Sequence, residues 1–191
     1  MKRIILAITG ASGSIYGIKL LDALLQAHHQ VHLVISSQGK KVIEYELEPL
    51  EQLLTHYRND ALIYHDNDDL FSSIASGSFK TDAMIIAPCS MGTLGKIAYG
   101  ISDSLLTRVA DVCIKERRPL VMVTRETPLS PIHLENMLKV SQAGCTIFPP
   151  VPAFYTHPES LDAVIDQTVA RILSLIDIAH PSYVAWGEHH E

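Results

Sequence analysis

The stretch Ile4-Ile5-Leu6-Ala7-Ile8-Thr9-Gly10-Ala11-Ser12-Gly13-Ser14 decides the fold. Continuous apolar residues make a strand buried on both faces, and glycines flanking two small residues allow the tight turn and close backbone approach that follow. From Ser14 to Ala27, the residues Ile15, Ile18, Leu21 and Leu25 recur at helical spacing. A strand, a glycine turn and a helix in this order bring backbone N–H groups and the positive end of a helix dipole to the strand tip. That is a seat for an anion, and a nucleotide-like ligand is the first inference.

Working outward, apolar runs of strand length return at 31–35, 83–87 and 120–123, with a weaker one at Thr146-Ile147-Phe148. Helical spacing returns in Leu134, Met137, Leu138 and Ser141, and in Leu161, Ile165, Thr168, Ile172 and Ile176. The pattern predicts an α/β chain: a single doubly wound, Rossmann-like or flavodoxin-like parallel sheet domain flanked by helices over residues 1–191, with a polar tail from about residue 180. Asp66 to Ser78 reads as a mobile polar loop.

Composition narrows the function. Of 191 residues, 47% are hydrophobic and 19% charged, which fits a globular chain. A formal charge of −6 leaves only the short cluster Lys115, Arg117 and Arg118, interrupted by Glu116, so no nucleic-acid partner is expected. No run reaches the length of a membrane span, and Met1-Lys2-Arg3 leads straight into a strand, so a cytoplasmic protein is expected. The three cysteines are widely spaced and predict reduced thiols. The histidines, including the tail residues His189 and His190, carry no metal-site spacing, so no metal is expected.

In doubly wound sheets ligands sit beyond the carboxyl ends of the strands. Those positions here hold the glycine turn, Ser36-Ser37, Pro88-Cys89-Ser90-Met91-Gly92-Thr93 and Thr124-Arg125-Glu126. A dinucleotide fingerprint is absent: Ser12 stands where its second glycine belongs, and no carboxylate follows the second strand for a ribose hydroxyl. Small hydroxyls suit a monophosphate such as FMN better. Ser90 has the setting of a helix N-cap. Charges at Arg125 and Glu126 after a buried strand would be costly to desolvate unless a second anion sits there. Arg108 and Lys115 share one helix face and read as solvated, as does Glu46 in the acidic run 44–48. Pro149-Pro150-Val151-Pro152 stiffens a wall or lid before Tyr155, and Tyr155 and Arg171 offer a phenol and a guanidinium for a phosphate.

Gly10 to Gly17, Pro88 to Leu94, Ile114 to Leu120, Arg125-Glu126-Thr127-Pro128-Leu129 and Pro149 to Tyr155, taken in order, resemble the UbiX family of flavin prenyltransferases, from about residue 3 to Trp186. The resemblance implies transfer of a dimethylallyl group from dimethylallyl phosphate to N5 and C6 of reduced FMN. It implies that Gly10, Ala11, Ser12, Ser36, Ser90, Met91, Gly92, Thr93 and Arg125 hold FMN, with Arg108 supporting the site across a subunit contact. Lys115, Arg125, Glu126, Tyr155 and Arg171 would hold the prenyl phosphate. Glu46, Glu126, Lys115, Ser12 and Tyr155 would serve the chemistry, Glu46 as a proton-handling group. A homododecamer with sites at subunit contacts and a UbiD-like decarboxylase receiving the product are also implied. Two alternatives stay open: a flavin-dependent cysteine decarboxylase, whose Pro-x-Met-Asn signature is replaced here by Pro88-Cys89-Ser90-Met91, and a non-catalytic FMN carrier.

Overall fold

A computed structural model describes residues 1–57 and 60–187. The expectation for His189 and His190 therefore lies outside the described residues. Six parallel strands, β1 (Arg3–Ile8), β2 (Gln30–Ile35), β3 (Leu62–His65), β4 (Ala83–Cys89), β5 (Leu120–Thr124) and β6 (Thr146–Ile147), form one sheet in the order β3-β2-β1-β4-β5-β6. This is the doubly wound arrangement, and its topological switch point lies between β1 and β4.

Alternation along each strand sends successive side chains to opposite layers. Ile4, Leu6 and Ile8 face one core with α1 (Ser14–Gln26) and α7 (Leu161–Ser174), joined by Ile43 of α2 (Ser37–Glu46) and Leu53 of α3 (Leu50–Thr55). Ile5 and Ala7 face a second core with α4 (Met91–Ala98), α5 (Leu105–Lys115) and Val140 of α6 (Pro131–Gln142). No helix among the described residues is long and apolar enough to cross a membrane.

Three readings of the sequence change. The expected stripe of α6 is split: Leu134 and Leu138 are exposed, Met137 packs against the second core, and Asn136 and Val140 are the buried positions. The helix is held to the body by Val140 and by its contact with α4, where Lys139 lies 3.8 Å from the ring centroid of Tyr99. The segment 66–78 is pinned rather than loose. Backbone and side-chain oxygens of Asn67 accept from the amides of Leu105 (2.7 Å) and Leu106 (3.2 Å), Ile74 is buried, and Arg108 and Arg118 donate to Ala75 and Gly77 carbonyls. The third change is an added strand and two added helices, β3, α2 and α3, whose short or polar sequences gave no periodic signal.

Candidate functional site: three helix starts at the switch point

Hydrogen bonds lock the tips of the central strands together. Buried Thr9, just past β1, donates its hydroxyl to the Pro88 carbonyl (2.8 Å) and accepts from the Ser90 amide (2.8 Å), while the Ser36 amide donates to Ile8 (3.0 Å). Close approach then demands glycine: a Cβ on Gly10 would lie 2.5 Å from Cβ of Gln38, and one on Gly39 2.6 Å from the Ile8 carbonyl oxygen. Gly13 adopts φ 102°, a left-handed conformation that opens α1.

A serine stands at the start of each of three helices. Ser36 accepts from the Gly39 amide (3.0 Å) to open α2, Ser90 from the Thr93 amide (3.3 Å) to open α4, and Ser104 forms a capping box with Thr107 at α5. All three serines line one cleft of about 290 Å³, together with Gly10, Gly92 and Thr93. First-turn amides of three helices, each with a partial positive charge, thus surround one space, which fits the phosphate tail of FMN.

The glycine turn is also met by a carboxylate of this chain. The Glu46 carboxylate accepts from the amides of Gly13 (3.0 Å) and Ser14 (2.9 Å), so a residue that read as plain helix surface caps α1. Burial opposes ionisation of Glu46, but hydrogen bonds from the Ser12 hydroxyl and the Ser14 and Gly13 amides outweigh it and hold its pKa below the usual value. Glu46 thus covers the start of α1, while Gly10 of the same turn lines the neighbouring cleft.

Of the other expected residues, Arg125 reaches the same rim, since its amide donates to the Cys89 carbonyl (3.3 Å) beside Ser90. Arg125 and Glu126 are both exposed and do not pair, because Glu126 instead accepts from the Thr127 amide (3.0 Å). The desolvation argument for a buried charge pair therefore does not apply. Met91 packs against the second core, and Ala11 is buried beside the turn.

Tyr155 and Arg171 come together, as expected, but in a second cavity of about 330 Å³. Its wall is the proline-stiffened segment, with Phe148, Pro149, Val151 and Ala153 beside the two polar side chains. The Tyr155 hydroxyl donates to the Val184 carbonyl (3.1 Å), and Trp186 meets its ring edge-on. Arg171 contacts hydroxyls of Ser174 (3.0 Å) and Tyr183 (3.5 Å), leaving its charge unmatched by a carboxylate among the described residues. The two cavities share no lining residue.

Lys115 and Arg108 are not brought to either cavity. Helix α5 starts beside the cleft and runs back along the sheet, so Lys115 ends near the start of β5 at the opposite edge, ion-paired with Glu116 and next to Gly77. Arg108 pairs with Asp111 (2.7 Å) and bonds to Ala75. Thr9, Gly39 and Ser104 are contributors that the sequence reading missed. Of these, only Ser104, three residues before Thr107 and one before an apolar run, carried a usable signal.

Fold and cleft together define a doubly wound α/β protein with three helix starts opening on one cleft at its switch point. The Flavoprotein family profile matches residues 1–180. A flavin prenyltransferase UbiX from Chlamydia pneumoniae is 45% identical over 189 residues, covering 98% of both chains. Among solved structures, AnUbiX (PadA1) in complex with FMN and dimethylallyl pyrophosphate superposes with TM-score 0.92 at 44% identity, covering 98% of each chain. A dodecameric FMN-dependent UbiX-like decarboxylase from Escherichia coli O157:H7 gives 0.91 at 42% identity, covering 97% of this chain and 100% of the other. The chain belongs to the flavoprotein family and, within it, to the UbiX flavin prenyltransferases.

Proposed function

We propose that this chain transfers a dimethylallyl group from dimethylallyl phosphate to N5 and C6 of reduced FMN. The observation that carries the reading is the convergence of three serine-capped helix starts on one cleft at the switch point, in a member of this family. When bound, reduced FMN supplies the nucleophilic nitrogen and carbon.

Each group in the chain has a task that follows from the chemistry. Breaking an allylic C–O bond gives the departing phosphate negative charge and the allyl fragment positive charge. Fixed cations at one end and an apolar, water-poor wall at the other both lower that barrier. Arg171 and Tyr155 sit in an apolar cavity and present a guanidinium and a phenol to the phosphate, with Arg125 and Glu126 at the rim of the cleft. Lys115 would join them only from a second copy of the chain, since in its own chain it lies at the far edge of the sheet. Arg108 would likewise act across that contact. Bonding at N5 and at C6 would free one proton each; one would be taken up by the allyl double bond as C6 joins it, and the other would go to the departing phosphate, oriented by Glu126. Glu46, held ionised against Ser12, is placed to move a proton beside the glycine turn.

This reading takes the chain as one domain, working in the cytoplasm as a homo-oligomer, most simply a dodecamer, and passing its product to a UbiD-like decarboxylase. Anaerobic incubation of the protein with reduced FMN and dimethylallyl phosphate, followed by mass spectrometry of the flavin, tests it. A flavin heavier by one prenyl unit is expected. Unmodified FMN, or turnover of a cysteine-terminated peptide instead, overturns it.

A further inference from the structure

The cleft at the switch point contains a cation that the site residues above leave out. Among its lining residues Lys96 is the sole charged side chain. It stands on α4 four residues after Gly92 and three after Thr93, on the helix face that carries both. Side chains on a helix lean toward its N-terminus, the end of α4 at which Ser90 stands, and Lys96 and Ser90 line the same cleft. Gly92 faces open space, since a Cβ there would meet nothing within 4 Å. The ammonium is held 2.7 Å from Asp103, an exposed carboxylate one residue before the Ser104 cap of α5.

We propose that Lys96 is the counter-charge for the phosphate monoester of the flavin, and that it exchanges the Asp103 carboxylate for the phosphate when the flavin enters. The inference rests on the placement of the FMN tail in this cleft. Helix amides and serine hydroxyls orient a phosphate but carry only partial charge, whereas a phosphate monoester brings close to two negative charges. Lys96 supplies the missing full charge from a flexible stem, which suits an ion that must be released with the product. Asp103 keeps the ammonium at the cleft mouth beforehand and competes with the phosphate for it.

Fluorescence titration of the purified full-length protein with FMN and, in parallel, with riboflavin, which lacks the phosphate, separates the outcomes. Lys96→Ala and the longer, neutral Lys96→Gln are expected to weaken FMN binding about tenfold while leaving riboflavin unchanged. The FMN affinity of the unmodified protein should also fall more steeply with salt than that of either variant. Asp103→Asn is expected to tighten FMN, because the competing carboxylate is gone. FMN affinity unchanged in both Lys96 variants, equal losses for FMN and riboflavin, or weaker FMN binding in Asp103→Asn would each overturn the proposal while leaving the prenyltransferase reading intact. An unmodified protein that binds FMN no better than riboflavin would overturn the placement of the tail, and the inference with it.

Discussion

Glu46 shows how one side chain fixes both a helix and a reaction edge. Its carboxylate satisfies the Gly13 and Ser14 amides, two of the four donors that the start of α1 leaves unpaired. Glu46→Gln puts an amide in that place and removes the charge facing the dipole. A loss of about 0.3–1 kcal/mol in urea unfolding at neutral pH is expected. Because the folded-state pKa is depressed, this stabilisation is present above the reference value of 4.5 and disappears as pH falls through the lower folded value, so the two proteins should converge in acid. Arg171 gives a functional counterpart. It lines the apolar cavity and no part of the serine-lined cleft, so Arg171→Ala should abolish use of the prenyl phosphate and leave FMN titrations nearly unchanged. Equal loss of FMN binding would break the division into two subsites.

Elements are tied together at close contacts that the sequence does not advertise. Helix α1 crosses β1 and β4 at Gly17, where an added Cβ would lie 2.4 Å from the Ala87 carbonyl oxygen and 2.8 Å from Cδ1 of Ile8. Gly17→Ala should therefore destabilise the chain by about 1–3 kcal/mol, measured by chemical unfolding, although alanine is the better helix former. On the other side, His32 of β2 and His65 of β3 share a 2.8 Å hydrogen bond, and His65 bonds to Ser72 (2.8 Å), tying the pinned segment 66–78 to the sheet. Burial, then the neighbouring His65 and Arg3, push the pKa of His32 down to about 4, and burial lowers that of His65 against an opposing pull from Asp69. The unfolded chain takes up protons near pH 6.5 that the folded chain refuses. Melting temperature should thus fall as pH drops from 6.5 toward 4, and His32→Asn should flatten that slope.

At the scale of the whole molecule, the outer surface carries more apolar side chains than a lone subunit needs. Ile132 is 67% exposed, Phe71 101% and Trp186 80%, and Leu134 and Leu138, four apart on one face of α6, are exposed as well. Exposed apolar side chains on α6 are candidates for contact between copies in a family with a dodecameric member. The double change Leu134→Glu with Leu138→Glu should shift sedimentation to smaller species without unfolding the subunit. Activity should fall with it if Lys115 reaches the site from a neighbouring copy. Cys89, Cys113 and Cys145 are buried, and burial raises all three thiols, Cys113 to about 12 and Cys145 to about 11. The native protein should react with a thiol reagent at neutral pH far more slowly than the unfolded chain.

The apolar strands, the glycine turn, the Ser90 cap and the order of the motifs are local properties, and local periodicity and turn chemistry suffice to read them. They suffice for the doubly wound sheet and for the strand ends at which the serine-lined cleft lies. The partner of the glycine turn, the pinning of the 66–78 segment and the split stripe of α6 depend on what each segment meets after folding. Glu46 is 33 residues from Gly13 in sequence, and nothing in the run 44–48 marks which acid will arrive there. The spacing of Leu134 and Leu138 declares a helix stripe but not its neighbour. Tertiary structure alone decided these, because hydrogen-bond partners and buried faces are set by proximity in space, while sequence records only proximity along the chain.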